Sequence, residues 1–170
     1  MKLLSFNCRG LGNPETVGEL HNVVRKEVPQ VVFFMETRLE QRYIEGIRVR
    51  LGMGGALGVS WVCIGGGLAL LWVRDLKVVI RSYSIRHIDA VIKRDGGEDW
   101  RLTAFYGDPI AGNRHLSWDL LRRLKSQYQL SWLVLGDLNE ILHNEEQRSQ
   151  NNRPCAQMER FRDVIDECNL

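Results

Sequence analysis

The sequence predicts one globular domain, or part of one, that mixes α and β structure. Two observations predict it. Short apolar runs rich in β-branched and aromatic residues recur along the chain, among them LLSFN, QVVFFMET, WRLTAFYG and SWLVL, as strands require. Between them lie stretches whose apolar residues return every three or four positions among charges, the pattern of a helix with one buried face. A chain of 170 residues can bury a real core, and 44% hydrophobic with 26% charged residues is ordinary for a globular protein.

In chain order, LLSFN (residues 3–7) is the first strand. Asn13-Pro14 reads as a helix N-cap and first-turn proline, with Val17, Leu20, Val23 and Val24 on one face and Pro29 ending the helical region. QVVFFMET (30–37) is continuously apolar until Glu36, which suits a strand buried on both faces. Tyr43, Ile44, Ile47 and Leu51 mark a second helix over 39–51. The 23 uncharged residues between Arg50 and Arg74 are long enough to span a bilayer, but seven are glycine. Gly65-Gly66-Gly67 stands between VSWVCI and LALLWV and favours a turn joining two strands, so no membrane association is expected. KVVIRSYSIRHIDAVIK supplies one or two strands, and Asp95-Gly96-Gly97-Glu98 turns the chain into WRLTAFYG (100–107). LSWDLLRRLKSQY (116–128) is a helix with Trp118, Leu120, Leu121 and Leu124 on or near one face. SWLVLGDLNEIL opens as a buried strand and stops at Gly136. A polar loop follows over 140–153, and after Pro154 a last helix carries Met158, Phe161, Val164 and Ile165 in phase.

Net charge is +2, unevenly spread: residues 1–136 hold 19 Lys/Arg against 13 Asp/Glu, and residues 137–170 hold 4 against 8. A mildly basic body fits a phosphate-seeking surface and fits a random one nearly as well. Cys8, Cys63, Cys155 and Cys168 lie far apart without Cys-x-x-Cys or Cys/His spacing, which argues for a reduced intracellular chain, nuclear or cytoplasmic, and against zinc. The start MKLLSFNCRG has too few apolar residues for a signal peptide.

Polar residues interrupt the apolar runs at their carboxyl ends: Asn7, Glu36, Tyr106, and Asp137 with Asn139. If those ends converge, two carboxylates, two carboxamides and a phenol meet at the mouth of an apolar sheet. Hard oxygen ligands suit Mg²⁺, which favours phosphodiester chemistry. Asp137 could take a proton from attacking water and Asn139 could orient that water. Singly, each has a plainer reading: an Asx turn or helix cap for Asp137-Asn139, a solvated Glu36, a turn-capping Asn7, a core Tyr106 with a wet tip. Their joint occurrence is what points to a site.

The blocks LLSFNCRGLGNPETV, VVFFMETRLE, GGGLALLW, AFYGDP and LVLGDLNEIL, in this order, resemble the endonuclease/exonuclease/phosphatase superfamily. More narrowly, they resemble the amino-terminal endonuclease domain of plant non-LTR (LINE-type) retrotransposons. The resemblance runs over almost the whole chain. It implies an α+β fold: a two-layer β-sandwich of mixed, mostly antiparallel sheets flanked by helices, DNase I-like. It also implies that Asn7 and Glu36 are metal-site residues, that Tyr106 contacts the scissile phosphate, that Asp137 activates water, and that Asn139 helps hold water, phosphate or metal. The implied cofactor is Mg²⁺, with Mn²⁺ as a substitute, and the implied partner is DNA; intact relatives also carry a reverse transcriptase. Leu138 stands where phenylalanine is more usual, and Phe6 where plant elements often have tryptophan.

One departure is larger. The family closes its site with a terminal Ser-Asp-His motif, whereas only 31 residues follow Asn139 here, with a single histidine, His143, outside any such context. Residues 1–170 are therefore expected to be one domain truncated before its final strands. Arg9, directly after Asn7, and His115 are candidate substrate contacts, while Arg122, Arg123 and Lys125 read as a solvated helix face that could also meet DNA phosphates. The expected function is a Mg²⁺-dependent endonuclease acting on DNA. The alternatives are a catalytically dead remnant and a phosphatase of the same superfamily.

Overall fold

The computed structural model describes residues 1–61, 66–146 and 152–170. In chain order these hold β1 (Leu3–Asn7), α1 (Pro14–Glu27), β2 (Val31–Met35), α2 (Gln41–Arg50), β3 (Gly55–Val59), β4 (Leu68–Trp72), β5 (Lys77–Ser84), β6 (His87–Lys93), β7 (Trp100–Tyr106), α3 (Arg114–Lys125), β8 (Ser131–Asp137) and α4 (Cys155–Cys168). The strands form two sheets, ordered β1-β2-β4-β3 and β5-β6-β7-β8. The pairs β1/β2 and β7/β8 are parallel, and the other four are antiparallel. This is the expected two-layer sandwich of mixed, mostly antiparallel sheets.

The alternation of side chains along each strand explains the layers. Val31, Phe33 and Met35 of β2 face the second sheet and pack with Leu68, Leu70, Ile88, Ile92 and Leu102. Val32 and Phe34 point the other way, onto Val17, Leu20 and Val24 of α1 and Ile44 and Ile47 of α2. The continuous apolar run of QVVFFMET is thus two faces, both buried. The outer face of the second sheet is covered by α3 and α4, through Phe105, Trp118, Leu121, Leu124, Phe161 and Val164. Beneath α3 the guanidinium of Arg101 is bound to the buried carboxylate of Asp89 at 2.8 Å and donates to the Leu124 carbonyl at 2.5 Å, tying helix to sheet. Among the described residues no helix is long and apolar enough to cross a membrane.

Helix α1 starts as its sequence dictates. Asn13 Oδ1 accepts from the Glu15 N–H at 3.0 Å, and the helix ends at Val28, whose φ of +47° closes it ahead of Pro29. Two expectations need correction. The strand before the glycine triplet is not VSWVCI but the preceding GALGV, with Val59 its last residue; Val62–Gly65 lie outside the described residues. Close packing selects those glycines: a Cβ on Gly55 would sit 2.3 Å from the Trp72 ring, and one on Gly58 would sit 2.6 Å from Ile44. The second correction concerns β8. Among the described residues it is an edge strand with β7 as its partner, and its residues are exposed or half-buried instead of being enclosed.

Candidate active site

Each sheet contributes one parallel pair of strands, and this is what brings the polar strand ends together. In β1/β2 Asn7 lies opposite Met35, one residue before Glu36, and in β7/β8 Tyr106 lies opposite Asp137. Parallel neighbours end on the same side, so each pair delivers two polar residues to one edge of its sheet. The sheets are joined at that edge, where the Asp137 N–H donates to the Met35 sulfur at 3.2 Å.

Glu36 is the hub. Its Oε1 accepts from Asn7 Nδ2 at 2.8 Å and from the Tyr106 hydroxyl at 2.9 Å, while its Oε2 lies 3.9 Å from the Arg38 guanidinium. Asn7 Oδ1 accepts from the Arg9 N–H at 3.3 Å. On the second sheet, Asp137 Oδ1 accepts the Asn139 N–H at 2.9 Å, and Asn139 Nδ2 donates to the Gly107 carbonyl at 2.8 Å. Asp137-Asn139 therefore does form the Asx turn that its sequence suggests, and the turn engages only one carboxylate oxygen. Asn7, Glu36 and Tyr106 are bonded directly; burial and the Glu36 carboxylate push the Tyr106 phenol up to about 12, with the Asp137 charge adding to the rise and a hydrogen bond with Asn139 opposing it. All five strand-end residues thus share one electrostatic neighbourhood.

The backbone around the cluster is strained. Arg9, Glu36, Arg38 and Asn139 adopt φ values of +50°, +52°, +52° and +54°, a left-handed conformation costly for residues with a Cβ. Two glycines allow the tight approach of β7 to β8. A Cβ on Gly136 would lie 1.9 Å from the Phe105 carbonyl oxygen, and one on Gly107 would lie 2.1 Å from that of Leu138. Cys8 is buried behind the site, and burial followed by the Glu36 charge pushes its thiol up to about 12, so it stays protonated and inert.

Of the other sequence candidates, Arg9 is exposed beside Asn7 and close to the cluster. His115 is exposed on the first turn of α3 and, among the described residues, bonds to none of the cluster. His143 is exposed in the loop after β8. Several residues were not singled out by sequence reasoning. Arg38 pairs with Glu36, Arg86 stacks on the Tyr106 ring, and Glu140 is a fully buried carboxylate 3.2 Å from Arg114 and 3.7 Å from Arg153. None of these lies at the end of an apolar run, so the signal that exposed the others does not mark them.

Among the described residues no group of three or more His, Cys, Asp or Glu side chains comes together as a metal cage. The donors present are one carboxylate oxygen of Glu36 outside the Asn7–Tyr106 bonds, the Asn7 carboxamide oxygen and the Asp137 oxygen that the Asx turn does not engage. An all-oxygen set with one or two carboxylates fits Mg²⁺, which keeps several waters and substrate oxygens in its shell.

Comparison with protein families matches residues 4–165 to the Endonuclease/Exonuclease/phosphatase family. The chain belongs to that family. The endonuclease domain of TRAS1, a telomere-specific non-LTR retrotransposon, is similar at a TM-score of 0.71 and 15% identity, over 98% of this chain and 71% of that one. The AP endonuclease LMAP of Leishmania major is similar at 0.69 and 14% identity, over 98% of this chain and 66% of that one. The 3'-5' exonuclease NExo of Neisseria meningitidis is similar at 0.67 and 16% identity, over 98% and 71% respectively. At these identities the likeness shows the shared fold. Comparison with the curated proteins gave no match. This member of the family spans about two thirds of the length of those structures.

Proposed function

We propose that this member of the Endonuclease/Exonuclease/phosphatase family is a Mg²⁺-dependent endonuclease-type phosphodiesterase acting on DNA, derived from a non-LTR retrotransposon of the plant LINE type. The observation that carries the reading is the Asn7–Glu36–Tyr106 bond set facing the Asp137–Asn139 turn across the joined ends of two sheets. The sequence blocks shared with plant elements support the origin. Neighbours described as a retrotransposon endonuclease, an AP endonuclease and a 3' phosphatase bound to a DNA hairpin support nucleic acid as the substrate class.

In this reading Glu36 and Asn7 would hold Mg²⁺, which would supply positive charge to a phosphoryl oxygen of the substrate. Asp137 takes the proton of the attacking water on its free oxygen, and its orientation is fixed by the turn through Oδ1. Asn139, anchored by Gly107, presents its amide oxygen to the same water. The Tyr106 hydroxyl stays protonated at any physiological pH and can donate to a phosphate oxygen in place of Glu36.

We further propose that residues 1–170 are one domain lacking the final strands that would pair with β8. The edge of β8 away from β7, which has no partner strand among the described residues, supports this, as does a cavity of about 480 Å³ between β8 and α4, lined by Trp132, Leu133, Val134, Phe161 and Ile165. A second reading, a non-catalytic remnant, is favoured by the histidines. His87 is buried in hydrogen bonds with Ser82 and Ser84, and among the described residues no imidazole bonds to the cluster.

Nicking of supercoiled plasmid by the 170-residue chain with Mg²⁺ decides between them. On the enzyme reading the chain nicks, and Asp137→Ala lowers the rate about 10²-fold to 10⁴-fold. A chain with a folded circular-dichroism spectrum that nicks nothing refutes it, and release of inorganic phosphate from a 3'-phosphorylated oligonucleotide without nicking would move the assignment to a phosphatase.

A further inference from the structure

The turn that carries Asp137 and Asn139 is bridged to the loop after β7 at successive levels. The Gly107 N–H donates to the Asp137 carbonyl at 2.8 Å, and Asn139 Nδ2 donates to the Gly107 carbonyl at 2.8 Å. The next level runs through Glu140. Its Oε2 accepts from Arg114 Nη1 at 3.2 Å, and Arg114 Nη2 reaches the Pro109 carbonyl at 3.5 Å. Arg114 is the first residue of α3, and Glu140 Oε2 also accepts from Gln157 Nε2 on α4. Its Oε1 accepts the Ile141 N–H at 3.1 Å and lies 3.7 Å from Arg153 Nε. One side chain thus fastens the residue next to Asn139 to both helices that cover the second sheet.

Both partners of the central pair are dry: the Glu140 side chain is 0% exposed and that of Arg114 5%. A buried ion pair can often be replaced by apolar residues of similar volume without loss of stability, so stability alone does not account for it. What an apolar pair cannot supply is direction, because a carboxylate that accepts on both oxygens fixes where its own backbone lies. That backbone needs fixing. Asn139 sits at a φ of +54°, a conformation that residues with a Cβ keep where their surroundings hold it, and among the described residues β8 pairs with β7 alone.

We propose that Glu140 is a positioning residue: held by Arg114 and Gln157, it keeps the Asp137–Asn139 turn in the geometry that aims the Asp137 carboxylate at water. The proposal rests on the nuclease reading and deepens it. Among the described residues the Glu140 carboxylate bonds to none of the five strand-end residues, so it acts through the chain and not on substrate.

Glu140→Gln isolates this role. It keeps length and volume, but a carboxamide has one acceptor oxygen where two are used, so its NH₂ must face either the Ile141 N–H or the Arg114 guanidinium. Amide hydrogen exchange of the full chain, without metal or DNA, reads the turn directly. The Asn139 N–H, which donates to Asp137 Oδ1, should exchange about tenfold faster in the variant, while the Val32 and Phe34 N–H groups of β2 keep their rates. In nicking of supercoiled plasmid with Mg²⁺, kcat should fall about tenfold to a hundredfold with KM unchanged, as misplacement of a reacting group does. Asp137→Ala/Glu140→Gln should nick no more slowly than Asp137→Ala alone, since Glu140 works only through that carboxylate.

An unchanged Asn139 rate in Glu140→Gln overturns the proposal. So does an equal acceleration at Asn139, Val32 and Phe34, which marks a contribution to global stability only. If Glu140→Gln does not fold, Gln157→Met takes its place: it removes one neutral donor and should speed exchange at Asn139 about threefold with the β2 amides unchanged, and no change there overturns the proposal likewise. If the unaltered chain nicks DNA and Glu140→Gln matches its kcat, only this inference fails. If the unaltered chain nicks nothing, the nuclease reading fails, and exchange at Asn139 alone decides whether Glu140 holds the turn.

Discussion

Strands β2 and β8 present the two carboxylates of the site, and they are built in opposite ways. In β2 all five residues are buried, with β1 on one edge, β4 on the other, helices above and the second sheet below. In β8 one edge has no partner strand among the described residues, Leu133 is 38% exposed, and no residue of the strand is fully buried. The carboxylates differ accordingly. Glu36 is bonded by Asn7 and Tyr106 from two other strands, so the tertiary fold holds it, whereas Asp137 is oriented mainly by its own turn. The half of the site proposed to hold metal is the one enclosed by the tertiary fold, and the half proposed to activate water stands on the more weakly enclosed strand. Closing lids and moving elements are drawn from such low-stability regions of proteins.

The largest effect that can break this comparison is a core deletion in each strand. Phe34→Ala removes a fully buried ring from the β2–helix core and should cost about 3–5 kcal/mol. Leu133→Ala removes a side chain already more than a third in water and should cost about 1 kcal/mol or less. Urea unfolding at unchanged m measures both. Equal losses at the two positions would show that β8 is as enclosed as β2, which would also remove the argument for further strands pairing at its edge.

The contrast marks where the sequence was legible. QVVFFMET and SWLVL read alike, as continuous apolar runs, because hydrophobic continuity reports that both faces of a strand meet apolar material but not how many neighbours it has. Trp132, Val134 and Leu135 satisfy that pattern by packing on helices and on the first sheet while the strand edge stays bare. The helices were read correctly because caps and periodicity are local, as Asn13, Pro14 and the Val17–Leu20–Val24 face illustrate. The strand before the glycine triplet was misplaced because VSWVCI shows the continuous apolar run and GALGV does not, whereas close contacts of Gly55 with Trp72 and of Gly58 with Ile44, set by tertiary packing, fit those glycines into the strand. The strand-end residues stood out because a polar group ending an apolar run breaks a pattern. Arg38, Arg86 and Glu140 break none, and their positions are fixed only by tertiary pairing.

The smallest effect is also the most local. Tyr106 connects the two halves, since its hydroxyl bonds Glu36 and its ionisation is opposed by the charges of both Glu36 and Asp137. Its pKa in the folded chain is pushed up to about 12 from an ordinary value of 10.0, so between those values the folded state keeps a proton that the unfolded state has lost. Stability from this group is complete below the unfolded pKa and declines as pH rises from about 10 toward 12. Absorbance at the tyrosinate band, taken as the difference between the chain and Tyr106→Phe, follows this one phenol. Glu36→Gln removes both a charge and a charged acceptor, and Asp137→Asn removes only a more distant charge. Both should move the midpoint down, and Glu36→Gln should move it further. A larger shift in Asp137→Asn would mean that Tyr106 belongs electrostatically to β8, and the division of the site into a tertiary half and a local half would have to be redrawn.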